Sequence, residues 1–112
     1  MQNNHLIEMF TDDLSNIGFQ VKVKFESLQL PFVVRNIIHD KEAFKDFQRL
    51  GLRIVPSFIF NCKVYEGYSP IFWREALDKF FDLKVGLDYL NVVLPKNHGW
   101  KEIPKKFISI GK

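Results

Sequence analysis

The spacing of apolar and polar positions changes character several times along this chain. Residues 5–10 (HLIEMF) carry Leu6, Ile7, Met9 and Phe10 around one charge, the composition of a short, largely buried strand. Thr11-Asp12-Asp13 breaks it. Residues 15–30 (SNIGFQVKVKFESLQL) fit two templates. The V-K-V-K-F alternation suits a strand, whereas Ile17, Val21, Phe25 and Leu28, spaced by four, four and three, share one helical face. Ser15, Asp12 or Asp13 can cap such a helix, and the order of neighbouring elements favours it. Pro31 ends it. Residues 32–38 (FVVRNII) are β-rich and predict a strand. Asp40 caps a helix reaching Leu50, with Ala43, Phe44, Phe47 and Leu50 on one face and Gly51 past its end. A hairpin follows over 52–67. Pro56 stands at a strand entrance, Asn61-Cys62-Lys63 form the turn, and Gly67 ends the return strand. Ser69-Pro70 opens a helix with Trp73, Leu77, Phe80 and Phe81 as its stripe, ending near Leu83.

The order is strand, helix, strand, helix, strand, strand, helix. A strand–helix–strand crossover makes a parallel pair, and the hairpin adds antiparallel strands. The expected product is an α/β domain with a four-stranded mixed sheet flanked by helices over residues 1–83. Residues 84–112 read as a C-terminal extension packing on that domain. Its apolar positions Val85, Leu87, Tyr89, Leu90, Val92, Val93 and Leu94 precede a loop at 95–99. Trp100, Ile103, Phe107, Ile108 and Ile110 add an edge strand, contact a partner or cover the domain's own surface, the last being favoured.

Composition narrows the classes. With 112 residues, 46% apolar and 12 Phe, the chain suits one packed domain rather than two or a disordered segment. No apolar run is long enough to span a bilayer, so no membrane partner is expected. The first residues lack the basic start of a signal peptide. The single Cys62 excludes an internal disulfide and a cysteine-based metal cage, and a cytoplasmic location is expected. His5, His39 and His98 have no partner at ligand spacing, so no metal is expected. The net charge of +3 comes from the end: after Pro95, Lys96, Lys101, Lys105, Lys106 and Lys112 face Glu102 alone. Such a tail can meet an acidic surface, but no interleaving of aromatic and basic residues points to nucleic acid. The abundance of aromatic residues leaves room for a homodimer.

The stretch LPFVVRNIIHDKEAFKDFQRLGLRIVPSFIFNCKVYEGYSPIFWREAL resembles the glutaredoxins of the thioredoxin-fold superfamily. Three phrases carry the resemblance: the PFVVRNI strand, the EAF-to-LG-to-VP passage and the GYSP helix opening. It covers roughly residues 5–83. It implies a thioredoxin-like fold of the glutaredoxin subtype, with Pro56 cis. It also implies that Val55, Pro56, Gly67, Tyr68 and Ser69 form a groove for glutathione or another thiol peptide. In that groove the Val55-Pro56 backbone pairs with the ligand's cysteine, and N–H groups at the start of the last helix receive a carboxylate.

The departures from the family bear on activity. Where its Cys-x-x-Cys begins the first helix, this chain has Ser15-Asn16-Ile17-Gly18. Dithiol exchange needs a low-pKa thiolate and a resolving thiol, and an unassisted serine hydroxyl supplies neither. Ser15 is more simply an N-cap than a relic of a catalytic cysteine, and Cys62, in a strand turn, is more simply a bystander than a nucleophile. Asp12 and Asp13 replace a basic residue that would meet glutathione. The expected function is therefore a redox-inactive binding or protein-interaction domain, with no cofactor required and glutathione admissible as a ligand. The alternative is a glutathione-dependent oxidoreductase or transferase using a degenerate site.

Overall fold

In the computed structural model, which describes residues 5–104, the chain runs β1 (Ile7–Thr11), α1 (Asn16–Ser27), β2 (Phe32–Asn36), α2 (Lys41–Arg49), β3 (Ser57–Phe60), β4 (Lys63–Glu66), α3 (Pro70–Phe81), α4 (Leu87–Leu90) and β5 (Lys101–Ile103). Polar caps start the long helices. Ser15 Oγ accepts from Gly18 N at 2.9 Å, Asp40 Oδ1 from Glu42 N at 3.0 Å, and Ser69 Oγ from Phe72 N at 3.1 Å. Each bond satisfies an N–H that a first helical turn leaves without a partner. Of the two templates over 15–30 the helix prevails. Val21 and Phe25 are buried, with Ile17 and Leu28 packed beside them.

The strands form one sheet in the order β2-β1-β3-β4-β5. β1 and β2 are parallel, and β3, β4 and β5 each pair antiparallel with the preceding member of that order. The sheet thus has five strands where the sequence predicts four. The fifth comes from the C-terminal extension: Val64 pairs with Ile103, Tyr65 with Glu102 and Glu66 with Lys101. Without β5, β4 would present an open edge of backbone N–H and C=O groups. The Trp100 ring also stacks on Tyr65, with centroids 5.8 Å apart and 10° between planes.

The strand alternation splits the core between two faces. On one, Ile7, Met9, Phe58, Phe60 and Tyr65 meet Phe25, Trp73, Leu77 and Leu90 from α1, α3 and α4. On the other, Phe10, Val64 and Ile103 meet Ala43, Phe47 and Leu50 of α2 and its end. Phe44, expected on the buried face of α2, is 44% exposed. Ala43 and Phe47, one turn apart, carry the contact, and position 44 lies about 100° round the helix from 43. Among the described residues no helix is long and apolar enough to cross a membrane. The expectations for Lys105, Lys106, Phe107, Ile108, Ile110 and Lys112 lie outside the described residues.

Candidate functional site

Strand register gathers the sequence-predicted residues at one end of the sheet. Thr11 pairs with Asn36 of β2. Phe10 pairs with Ser57, and one further step brings Thr11 beside Pro56. Ser57 pairs with Glu66, and the next step brings Pro56 to Gly67, whose N–H donates to Pro56 O at 3.0 Å. Glu66 pairs with Lys101, so Gly67 lies beside Trp100. Asn36, Thr11, Pro56, Gly67 and Trp100 therefore form a transverse row, with the start of α1 above Thr11 and the start of α3 after Gly67. The Val55–Pro56 peptide bond is cis.

At the α1 end, the Ser15 hydroxyl is occupied as the acceptor for Gly18 N. Gly18 is buried against Thr11, and a Cβ added there would sit 2.2 Å from Thr11 Oγ1 and 3.2 Å from its Cβ. A side chain at position 18 thus requires the buried Thr11 to move, so the position where the resemblance puts a second thiol is closed sterically as well as chemically. Asp12 Oδ1 accepts from Leu14 N at 3.0 Å. Asp13 accepts from Asn36 Nδ2 at 2.9 Å and meets His39 Nε2 at 2.7 Å. The Asn36 bond, then the His39 bond, hold the Asp13 carboxyl below its ordinary pKa, so the entrance to α1 stays acidic. A cavity of about 360 Å³ opens on the other side of α1, between Ser15, Asn16 and Ile17 and the extension residues Val93, Leu94 and Pro95.

At the hairpin end, Val55 is half-buried and Pro56 buried. Among the described residues neither the N–H nor the C=O of Val55 has a hydrogen-bond partner. The sequence expectation of free N–H groups concerns Ser69 and beyond; the N–H one residue earlier is taken up. Tyr68 N donates to His98 Nε2 at 3.0 Å, and the Tyr68 hydroxyl donates to Leu90 O at 2.7 Å. Ser69 is turned inward to its own helix, accepting from Phe72 N. Gly67 has φ +94°, and a Cβ there would lie 1.9 Å from Gly99 O and 3.1 Å from Trp100 Cα. The C-terminal extension is therefore pressed onto Gly67 and Tyr68. Burial raises the Tyr68 hydroxyl pKa far above its usual value, so this group donates at any working pH.

The His98 bond requires the neutral ring with its proton on Nδ1, since a protonated ring has no lone pair at Nε2. Burial lowers the His98 pKa from its ordinary value near 6.5. The bond's contribution is fully present above the unfolded pKa and is lost as pH falls through the lower folded one. The urea midpoint should therefore drop between neutral and mildly acidic pH by more in wild type than in His98→Gln, which keeps an uncharged acceptor. Equal drops in the two proteins would exclude this role for His98.

Cys62 is exposed at φ +63° in the β3–β4 turn, at the opposite end of the hairpin from Pro56 and Gly67. Among the described residues no group of three or more His, Cys, Asp or Glu is placed to hold a metal ion. The participants that sequence reasoning missed are Thr11, His98 and Gly99. Thr11 acts on the helix that follows its strand, and His98 and Gly99 act on residues far from them in sequence; only the Gly99-Trp100 pair, a glycine followed by a large aromatic residue after a polar loop, carries any local hint. Neither a protein-family model nor a curated protein sequence matches this chain.

Proposed function

We propose that this chain is a thioredoxin-like domain of the glutaredoxin subtype that binds a thiol peptide or partner protein without thiol chemistry of its own. The observation that carries the proposal is Val55. It is half-buried beside Pro56, and its donor and acceptor both lack partners among the described residues. Unpaired backbone groups are uncommon where water is scarce, and one residue offering both is suited to pairing with an extended peptide. The fold part draws support from the sheet, a parallel β1–α1–β2 unit beside an antiparallel β3–β4 hairpin. Against catalysis stand the capping role of Ser15, the closed Gly18 position and the exposed turn that holds the single cysteine. The acidic entrance at Asp12 and Asp13 favours a neutral or basic peptide over glutathione, which makes glutathione a weak probe of the same backbone chemistry.

Two measurements test this. Titrating the labelled protein with reduced glutathione should shift the backbone amide signals of Val55 and of the start of α1 at millimolar ligand. No shift at that concentration would remove the groove from the proposal. Reduction of hydroxyethyl disulfide with glutathione should run at the uncatalysed rate. Turnover well above it, lost in Cys62→Ala or Ser15→Ala, would establish the oxidoreductase alternative instead.

A further inference from the structure

The loop between α4 and β5 lies where the groove's second half would receive a ligand. Residues 91–100 contain neither helix nor strand, and their one internal backbone bond is the turn His98 N to Pro95 O at 3.0 Å. Both ends of the loop are anchored. Leu90 is fully buried and its carbonyl holds the Tyr68 hydroxyl, while Ile103 is 5% exposed and paired in the sheet. Between these anchors Pro95, Lys96, Asn97 and Gly99 are exposed. Val92 and Leu94 pack on the core, and after them three contacts close the loop down: His98 Nε2 on Tyr68 N, the Gly99 backbone against Gly67, and Trp100 on Tyr65 and Phe72. His98 presents an acceptor lone pair to the N–H that precedes α3. A carboxylate oxygen of a bound peptide would offer that N–H the same thing.

We propose that residues 91–100 are a strap that occupies the Gly67–Tyr68 half of the groove in place of ligand, so that a peptide carboxylate reaches Tyr68 N only when His98 leaves it. The inference rests on the groove reading above and adds its regulation. Val92 and Leu94 pack against the core, so the part that lifts is the stretch after Leu94. Held by one side-chain hydrogen bond, one backbone contact and one stacked ring, that stretch opens locally at far lower cost than the whole domain unfolds. Val55 remains open in the closed state, so ligand engages that half first and competes with the strap for the other. The competition is direct, because the imidazole and the carboxylate seek the same N–H.

The test uses the full chain and three proteins: wild type, His98→Ala and His98→Gln. Amide hydrogen exchange is followed at Tyr68, with amides of β1 and β3 as controls for folding. Glutathione is titrated into each protein as the carboxylate-bearing probe. In His98→Ala, exchange at Tyr68 should quicken and glutathione affinity should rise, each by about threefold to tenfold, as expected for loss of one competing hydrogen bond. His98→Gln, whose amide oxygen can accept, should return both towards wild type, which a general loosening of the fold would not do. Unchanged Tyr68 exchange in His98→Ala overturns the strap. Faster exchange with equal glutathione affinity in all three proteins overturns the gating and leaves the groove standing. Binding to none of them overturns the groove and the gating together.

Discussion

Trp73→Ala should lower the unfolding free energy by about 3–5 kcal/mol, the usual cost of emptying an aromatic site in a core. Trp73 is fully buried, and its ring centroid lies 5.2 Å from that of Phe25, 5.1 Å from Phe58, 5.3 Å from Phe60 and 5.0 Å from Phe72. These partners come from α1, β3 and α3, so no single element can close over the hole. A small domain has roughly 5–15 kcal/mol in all, which makes this loss a large fraction of the total. Trp73→Phe should behave differently. Among the described residues the buried Trp73 Nε1 has no hydrogen-bond partner. Phenylalanine leaves a smaller void and removes an unsatisfied donor, and the two effects oppose each other. A cost of about 1 kcal/mol is expected. Urea denaturation of both variants decides the matter: equal losses would mean that the indole is held by its N–H, contrary to the packing account.

Gly67→Ala should cost about 2–4 kcal/mol, from two sources that act together. Its φ of +94° is backbone that an L side chain rarely adopts. The added methyl would also meet Gly99 O at 1.9 Å, a backbone atom that cannot rotate away. The strap, β5 or the hairpin end must then shift. Because Trp100 follows Gly99 directly, the shift should reach its stacking on Tyr65 and change the aromatic signals of both rings. The measurement is a urea midpoint alongside side-chain spectra of Trp100 and Tyr65. A midpoint equal to wild type would mean that the extension does not lie on Gly67, and the strap would fall with it. The His98 variants probe the same contact from the other side without touching the hairpin.

Much of the fold is legible in the chain because its signals are local. Ser15, Asp40 and Ser69 each stand before an apolar-periodic run and each caps a helix with its side-chain oxygen. Pro31 and Pro56 mark where extended chain begins, and Gly51 and Gly67 both take positive φ at the points where the chain turns. One local reading went astray and one element went unread, each for a physical reason. Phe44 belongs to an apolar stripe wide enough that its edge reaches solvent. Residues 87–90 formed a short helix because tertiary packing of Leu90 holds a turn too brief to be signalled by periodicity.

The candidate site divides in the same way. The positions of Ser15, Gly18, Val55, Pro56, Gly67, Tyr68 and Ser69 follow from the motif phrases and the order of elements, and strand register then brings the α1 start and the hairpin end into one row. What the sequence left open is what lies against the Gly67–Tyr68 end of that row. That depends on His98, which stands thirty residues from Tyr68, and on Gly99 meeting Gly67 across the β4–β5 edge. By itself the sequence determined which residues cap, turn and face inward, because those preferences are satisfied within a few residues of backbone. Only the tertiary structure decided which strand closes the sheet, that Thr11 crowds Gly18, and that the extension lies against Gly67 and Tyr68. Periodicity encodes which face of an element is buried; it does not encode what that face is buried against.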